Sequence, residues 1–215
     1  MLNLQERAVA GIKLLGGRPC LDFVNTIGGR KEAKARGMET CVIRADKLNE
    51  YSDLLAWGLH TGLLSESEAQ KLMRESFRNP SGANAVWKRA IELREAIYRI
   101  SLAVLQQKPP QKSDLEILNQ ELSIAHSRLA LTAAKKGLIW EWKNQEIAMD
   151  RILWLVADSA AEMFTTADLS RLRQCRGDDC GWIFDDTTRN RSRQWCDMKD
   201  CGNVAKVRRF RSRSQ

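Results

Sequence analysis

Four of the six cysteines in this 215-residue chain fall in one short stretch: Cys175-x4-Cys180, then fifteen residues, then Cys196-x4-Cys201. Two close pairs joined by an insert of hairpin length can bring four thiolates to the corners of a tetrahedron, which suits Zn²⁺ with Zn–S bonds of about 2.3 Å. Disulfides are one alternative, disfavoured by a chain start, Met1 to Ala10, that has no signal-type block. Unligated buried thiols and an iron–sulfur cluster are the others, and only the spacing opposes the cluster. Four thiolates leave zinc no open position for water, so the expected metal is structural. One Zn²⁺ contributes roughly 10–16 kcal/mol of apparent binding free energy, and so small a segment is expected to need it to fold.

The other candidates for chemistry are isolated. Cys20 and Cys41 have no neighbouring partner and read as small buried or half-buried side chains. His60 and His126, the only histidines, have no acid or nucleophile pattern beside them. With no Ser-His-Asp, Cys-His, paired-acid or phosphate-loop constellation, the chain is not expected to be an enzyme.

Charge is concentrated where the cysteines are. Thirty-five Lys and Arg oppose 27 Asp and Glu, and the last 45 residues carry 12 basic and 6 acidic side chains, hence six of the eight net positive charges. A local basic field of this kind suits a polyanion, the alternative being a solvated tail. No run approaches the ~20 apolar residues that span a bilayer, so no membrane partner and a cytoplasmic location are expected.

Long helices must position this end. The first 45 residues are rich in glycine and read as short strands and turns, with Ile12 to Leu15 and Leu21 to Val24 as apolar stretches. From Asp46 a helical face follows, Leu48, Tyr51, Leu55 and Leu59, ended by Gly62. Ser65 and Glu68 form a capping box for a helix stopping near Asn79 and Pro80. Val86, Ala90, Leu93, Ile97, Ile100 and Val104 draw one long stripe, and Pro109 and Pro110 end it. Ser113 and Glu116 open another helix, expected to pack antiparallel on the first. Leu129 to Ala134 and Leu138 to Lys143 flank a Lys135-Lys136-Gly137 turn and predict a β-hairpin. A last long helix is expected from about Gln145 to Phe164. The predicted fold is mainly α, with short β-strands and a β-hairpin in a multihelical N-terminal domain, residues 1–168. A small zinc-binding module of knuckle, hairpin and basic helix follows in 169–215.

Cys175 to Arg213 resembles the CGNR zinc finger family. The likeness lies in Cys-x4-Cys-Gly-Trp-Ile-Phe-Asp, Arg189-Asn190-Arg191-Ser192-Arg193-Gln194-Trp195-Cys196, Cys201-Gly202-Asn203 and Lys206-Val207-Arg208-Arg209. Gly16-Gly17-Arg18-Pro19-Cys20-Leu21-Asp22-Phe23-Val24-Asn25-Thr26, with Leu55-Ala56-Trp57 and Gly62-Leu63-Leu64, resembles the ABATE domain that precedes this finger. The resemblance implies a bacterial stress-induced transcription regulator with a DNA-binding finger, and puts the zinc ligands at Cys175, Cys180, Cys196 and Cys201. One departure is Val204, where the motif has Arg.

Ala205 to Arg213 contains no breaker and predicts a basic helix, on which Val207 and Phe210 are expected to pack against the zinc knuckle. Lys206, Arg208, Arg209, Arg211 and Arg213 on that helix, with Arg189, Arg191 and Arg193 in the insert, are the candidate nucleic-acid contacts. Trp182, Phe184 and Trp195 read as packing around zinc, with base stacking the alternative. Arg18, Asp22 and Asn25 either line a ligand pocket or fix turns by pairing internally. The leading function is a zinc-dependent regulator that binds double-stranded DNA, with a small-molecule signal and a homodimer left open. RNA binding or ribosome association is the first alternative, and an enzyme with the finger as a tether the second.

Overall fold

The computed structural model describes residues 4–30, 45–143 and 148–213. Two 3-10 turns, Leu4–Glu6 and Ala8–Gly11, lead to α1, Pro19–Val24. Leu21 to Val24 is therefore helix where the sequence predicts strand. Pro19 takes the first helical position, where its missing N–H costs nothing, and Cys20 to Val24 are all buried, so no polar face reveals a helical period. Among the described residues of this region, strand is found in β1, Ile27–Gly28, paired antiparallel with β2, Ala45–Asp46. Cys41 lies outside the described residues.

α2, Tyr51–His60, starts with a capping box of Glu50 and Asp53, and Gly62 beyond it has φ +73°. In α3, Glu66–Arg78, the Glu68 amide donates to Ser65 Oγ at 3.3 Å and the Ser65 amide to Glu68 Oε2 at 2.7 Å, the predicted box. α4, Pro80–Leu105, follows directly, because Asn79 both ends α3 and caps α4 by accepting the Gly82 amide at 2.9 Å. α5, Lys112–Ser127, begins one residue before the expected cap, so Ser113 lies inside it and Gln111 precedes it without a side-chain cap. Ion pairs Arg99–Asp114 and Arg89–Glu121 run in opposite chain directions, so α4 and α5 are antiparallel as expected.

β3, Leu129–Ala134, pairs with β4, Gly137–Trp142, leaving Lys135 and Lys136 as the turn. Trp142 stacks on Trp154, centroids 5.8 Å apart. α6, Arg151–Thr166, carries that Trp; residues 145–147 of the expected helix lie outside the described residues, and 148–150 are not helical. The core joins Phe23, Trp57, Leu93 and Ile152 from α1, α2, α4 and α6.

The cysteine-rich end contributes β5, Leu172–Gln174, and β6, Ile183–Asp185, paired antiparallel. Leu172 and Ile183 belong to the same core cluster as the helices. A π-type turn, Met198–Gly202, then leads into α7, Asn203–Arg213. Among the described residues no helix is long and apolar enough to cross a membrane.

A buried polar relay crosses this core. Arg94 of α4, 1% exposed, donates to both oxygens of Asp46 at 2.7 Å and to Glu95 at 3.0 Å. Glu95 accepts two bonds from Arg30, whose own backbone amide donates to the carbonyl of Cys180 at 3.1 Å.

Candidate metal centre and nucleic-acid interface

Antiparallel pairing of β5 and β6 sets Cys175 and Cys180 facing the second pair, because the Cys175 amide donates to the Trp182 carbonyl and closes the loop between them. The four Sγ atoms all lie within 4.8 Å of one another, with Cys180 to Cys196 and Cys196 to Cys201 both 3.6 Å. A regular tetrahedron of 2.3 Å bonds has edges of about 3.8 Å, so the cluster has the size zinc requires. These separations are far beyond a disulfide bond, and all four cysteines are free. The amides of Gly177 and Cys196 donate to Cys175 Sγ at 3.4 and 3.3 Å, a bonding pattern suited to a thiolate. Hydrogen bonds from Cys180 and Cys196 lower the Cys175 pKa, and the bond with Cys175 raises that of Cys180. Four thiols this close cannot all ionise alone; a divalent cation supplies the missing charge. The donor set fits one Zn²⁺ and closes its coordination.

The aromatic side chains pack around this centre as expected, and Arg193, expected at the nucleic acid, helps hold it in place. Phe184 is fully buried between Cys175 and Cys196, with Trp182 and Trp195 packed against them. The Arg193 guanidinium stacks on Phe184 at 4.1 Å and donates to the carbonyls of Leu15, Trp195 and Cys196. Asp186, also fully buried, accepts the amides of Thr188 and Arg193 and the Thr188 hydroxyl. An Asp in an Asp-Asp-Thr-Thr run signals a turn, but nothing local marks it as buried.

The remaining cations divide into two groups. Arg191 pairs with Asp168 at 2.9 Å, and Arg208 pairs with Asp178. Arg189, Lys206, Arg209 and Arg211 are exposed and make no ion pair or side-chain hydrogen bond among the described residues. The side chain of Arg213 lies outside the described residues. Val207 and Phe210 do not pack on the zinc knuckle: they are 50% and 73% exposed, because α7 meets the finger through Ala205 and Arg208 instead. Val204 is half exposed, beside a cavity of about 270 Å³ bordered by Asp178, Asp179 and Asp200.

Arg18 and Asn25 bond to the finger, while Asp22 fixes the segment that leads to them. Arg18 Nε donates to Asp185 at 3.2 Å; the Asn25 amide donates to the Ile183 carbonyl at 2.8 Å and accepts its N–H at 3.0 Å. Asp22 accepts the Gly16 amide at 2.7 Å; burial raises its pKa, against these bonds. A Cβ at Gly16 would stand 2.7 Å from the Asp22 amide nitrogen, and Gly17 has φ +81°, so both positions demand glycine. The Gly16 carbonyl in turn accepts the Asp185 amide at 2.8 Å. Lys13 adds two bonds, to Asp197 and Asp200, at 2.6 Å each.

Cys20 is fully buried, its thiol 3.8 Å from Met163 Sδ and its pKa pushed up to about 11 by burial. His60 contacts the Ile12 carbonyl at 2.7 Å, and His126 lies 3.6 Å from Asp158 on the surface.

A family model for the ABATE domain, described as "Putative stress-induced transcription regulator", matches residues 17–167, and one for the CGNR zinc finger matches residues 171–214. No curated protein matches the chain.

Proposed function

The chain belongs to the ABATE family and ends in a CGNR zinc finger, and on that footing we propose that it is a transcription regulator whose finger binds duplex DNA. The observation that carries this reading is the set of four exposed, uncommitted cations, Arg189, Lys206, Arg209 and Arg211, on a module built around four cysteines. Arg191 and Arg208 sit in surface ion pairs that a phosphate could exchange into, while Arg193 is committed to holding the finger. Residues 1–168 are the proposed sensing or dimerising part and 169–215 the binding part, the zinc having a structural role. Single-strand or RNA recognition by stacking has less support, because Phe184 is buried and the Trp182 indole donates to the Ile27 carbonyl at 2.9 Å.

Zinc-loaded protein is expected to bind duplex DNA with a log–log salt slope of about 0.9 per phosphate contact. The triple substitution Lys206→Ala, Arg209→Ala, Arg211→Ala should lower the slope by close to three contacts and leave the zinc content at one per chain. Arg193→Ala should instead reduce thermal stability and zinc retention. An unchanged slope in the triple variant, from anisotropy titrations between 50 and about 200 mM salt, would sink the assignment of α7 as a phosphate contact.

A further inference from the structure

Helix α7 has 11 residues, Asn203–Arg213, and no acidic side chain among them. At about 100° per residue, Asn203, Lys206, Val207, Phe210 and Arg211 fall within an arc of about 140°. The other side carries Ala205 and Arg208, which face the finger across the cavity and through the bond to Asp178. The outward arc is therefore apolar along its middle and cationic at both margins, with Val207 50% and Phe210 73% exposed.

An occupant of this face must be apolar at its centre and anionic at its rims. A second copy of α7 is repelled by its own charge. An anionic lipid surface offers the right charge, but two apolar side chains on a helix about 16 Å long give little to bury among acyl chains. The major groove of B-DNA meets both requirements: about 12 Å wide, it admits a helix, its walls are phosphates, and its floor presents the C5-methyl of every thymine. Resting on the duplex-binding reading above, we infer that Val207 and Phe210 select sequence by contacting thymine methyl groups in the major groove, with Lys206 and Arg211 on the flanking phosphates or guanines.

The test uses the full zinc-loaded chain. Duplexes are selected from a random library, and each thymine of the selected site is replaced by deoxyuridine, which deletes only the methyl. At one or two positions this should weaken binding about fourfold, the equivalent of the ~0.8 kcal/mol that accompanies burial of one CH₂. Val207→Ala or Phe210→Ala should abolish the thymine preference at its own position while the salt slope stays the same. Neutral deoxyuridine at every position, selection without sequence preference, or an undiminished preference in both variants overturns the inference and leaves duplex binding standing. No binding to any duplex overturns both readings. Binding to phosphatidylglycerol vesicles that exceeds binding to the selected duplex and is lost in Val207→Ser overturns it in favour of a membrane surface.

Discussion

Cys196→Ser is expected to take the zinc content from one ion per chain to none and to melt residues 186–213, while helices α1 to α6 remain folded. The four Sγ atoms all lie within 4.8 Å of one another, and Cys196 lies 3.6 Å from both Cys180 and Cys201. Without the cation, the pocket around Phe184 is left with Trp182, Trp195 and Arg193 to hold it. Removing roughly 10–16 kcal/mol of apparent metal binding exceeds anything such a pocket supplies. β5 and β6 should persist, because Leu172 and Ile183 are packed in the helical core and Asn25 holds Ile183 from both sides of its peptide. Metal analysis with limited proteolysis checks this, cleavage being expected first between 186 and 213. Zinc retained at one per chain, or loss of all helical signal together with the metal, would contradict it.

The second large effect lies far from the metal. Arg94→Ala is expected to destabilise the zinc-loaded protein by about 3–5 kcal/mol, the usual result of breaking a buried pair by removing one partner. Arg94 is 1% exposed and holds Asp46 by two bonds of 2.7 Å, which ties β2 to α4. Burial works to raise the Asp46 pKa, but the bonds and charge of Arg94 outweigh it and hold the group below its ordinary value. The sign follows: a lowered folded-state pKa contributes stability that is complete above the ordinary value of about 3.9 and is lost as pH falls through the folded value. The gap between wild type and Arg94→Ala, measured by urea unfolding, should thus be widest near neutral pH and narrow in acid. A gap under about 1 kcal/mol at neutral pH would show the pair to be a surface-type interaction.

The pairing of Arg94 with Asp46 is not legible in the sequence, and the reason is distance along the chain. Arg94 and Asp46 lie 48 positions apart, and no local spacing couples them. The cysteine pairs are legible because ligand chemistry depends on side-chain type and short spacing, whatever the surrounding fold. The Ser65–Glu68 box and the Gly137 turn are legible for a similar reason, since each is completed within a few residues. Leu21 to Val24 is misread because burial on every side erases periodicity, and Val207 and Phe210 because three-residue spacing marks a helix stripe without saying what covers it. Arg18, Asp22 and Asn25 stand out as polar residues in an apolar, glycine-rich stretch, but their partners Asp185, Gly16 and Ile183 become visible only in the folded chain.

The grip of the Gly16–Asn25 segment on β6 also decides what the finger can do when separated from the helices. Strand β6 has β5 on one side; on its other side the N–H and C=O of Ile183 are taken by a side-chain amide and the N–H of Asp185 by the Gly16 carbonyl. Every one of these groups is a docking point for a foreign strand when left bare, and here a single asparagine and one glycine carbonyl act as a lid against edge-to-edge aggregation. A fragment cut at residue 168 would carry the cysteines and the basic helix but expose that edge. The finger is thus not a portable cassette: its solubility is written into residues 16–25, about 160 positions upstream of the strand they shield.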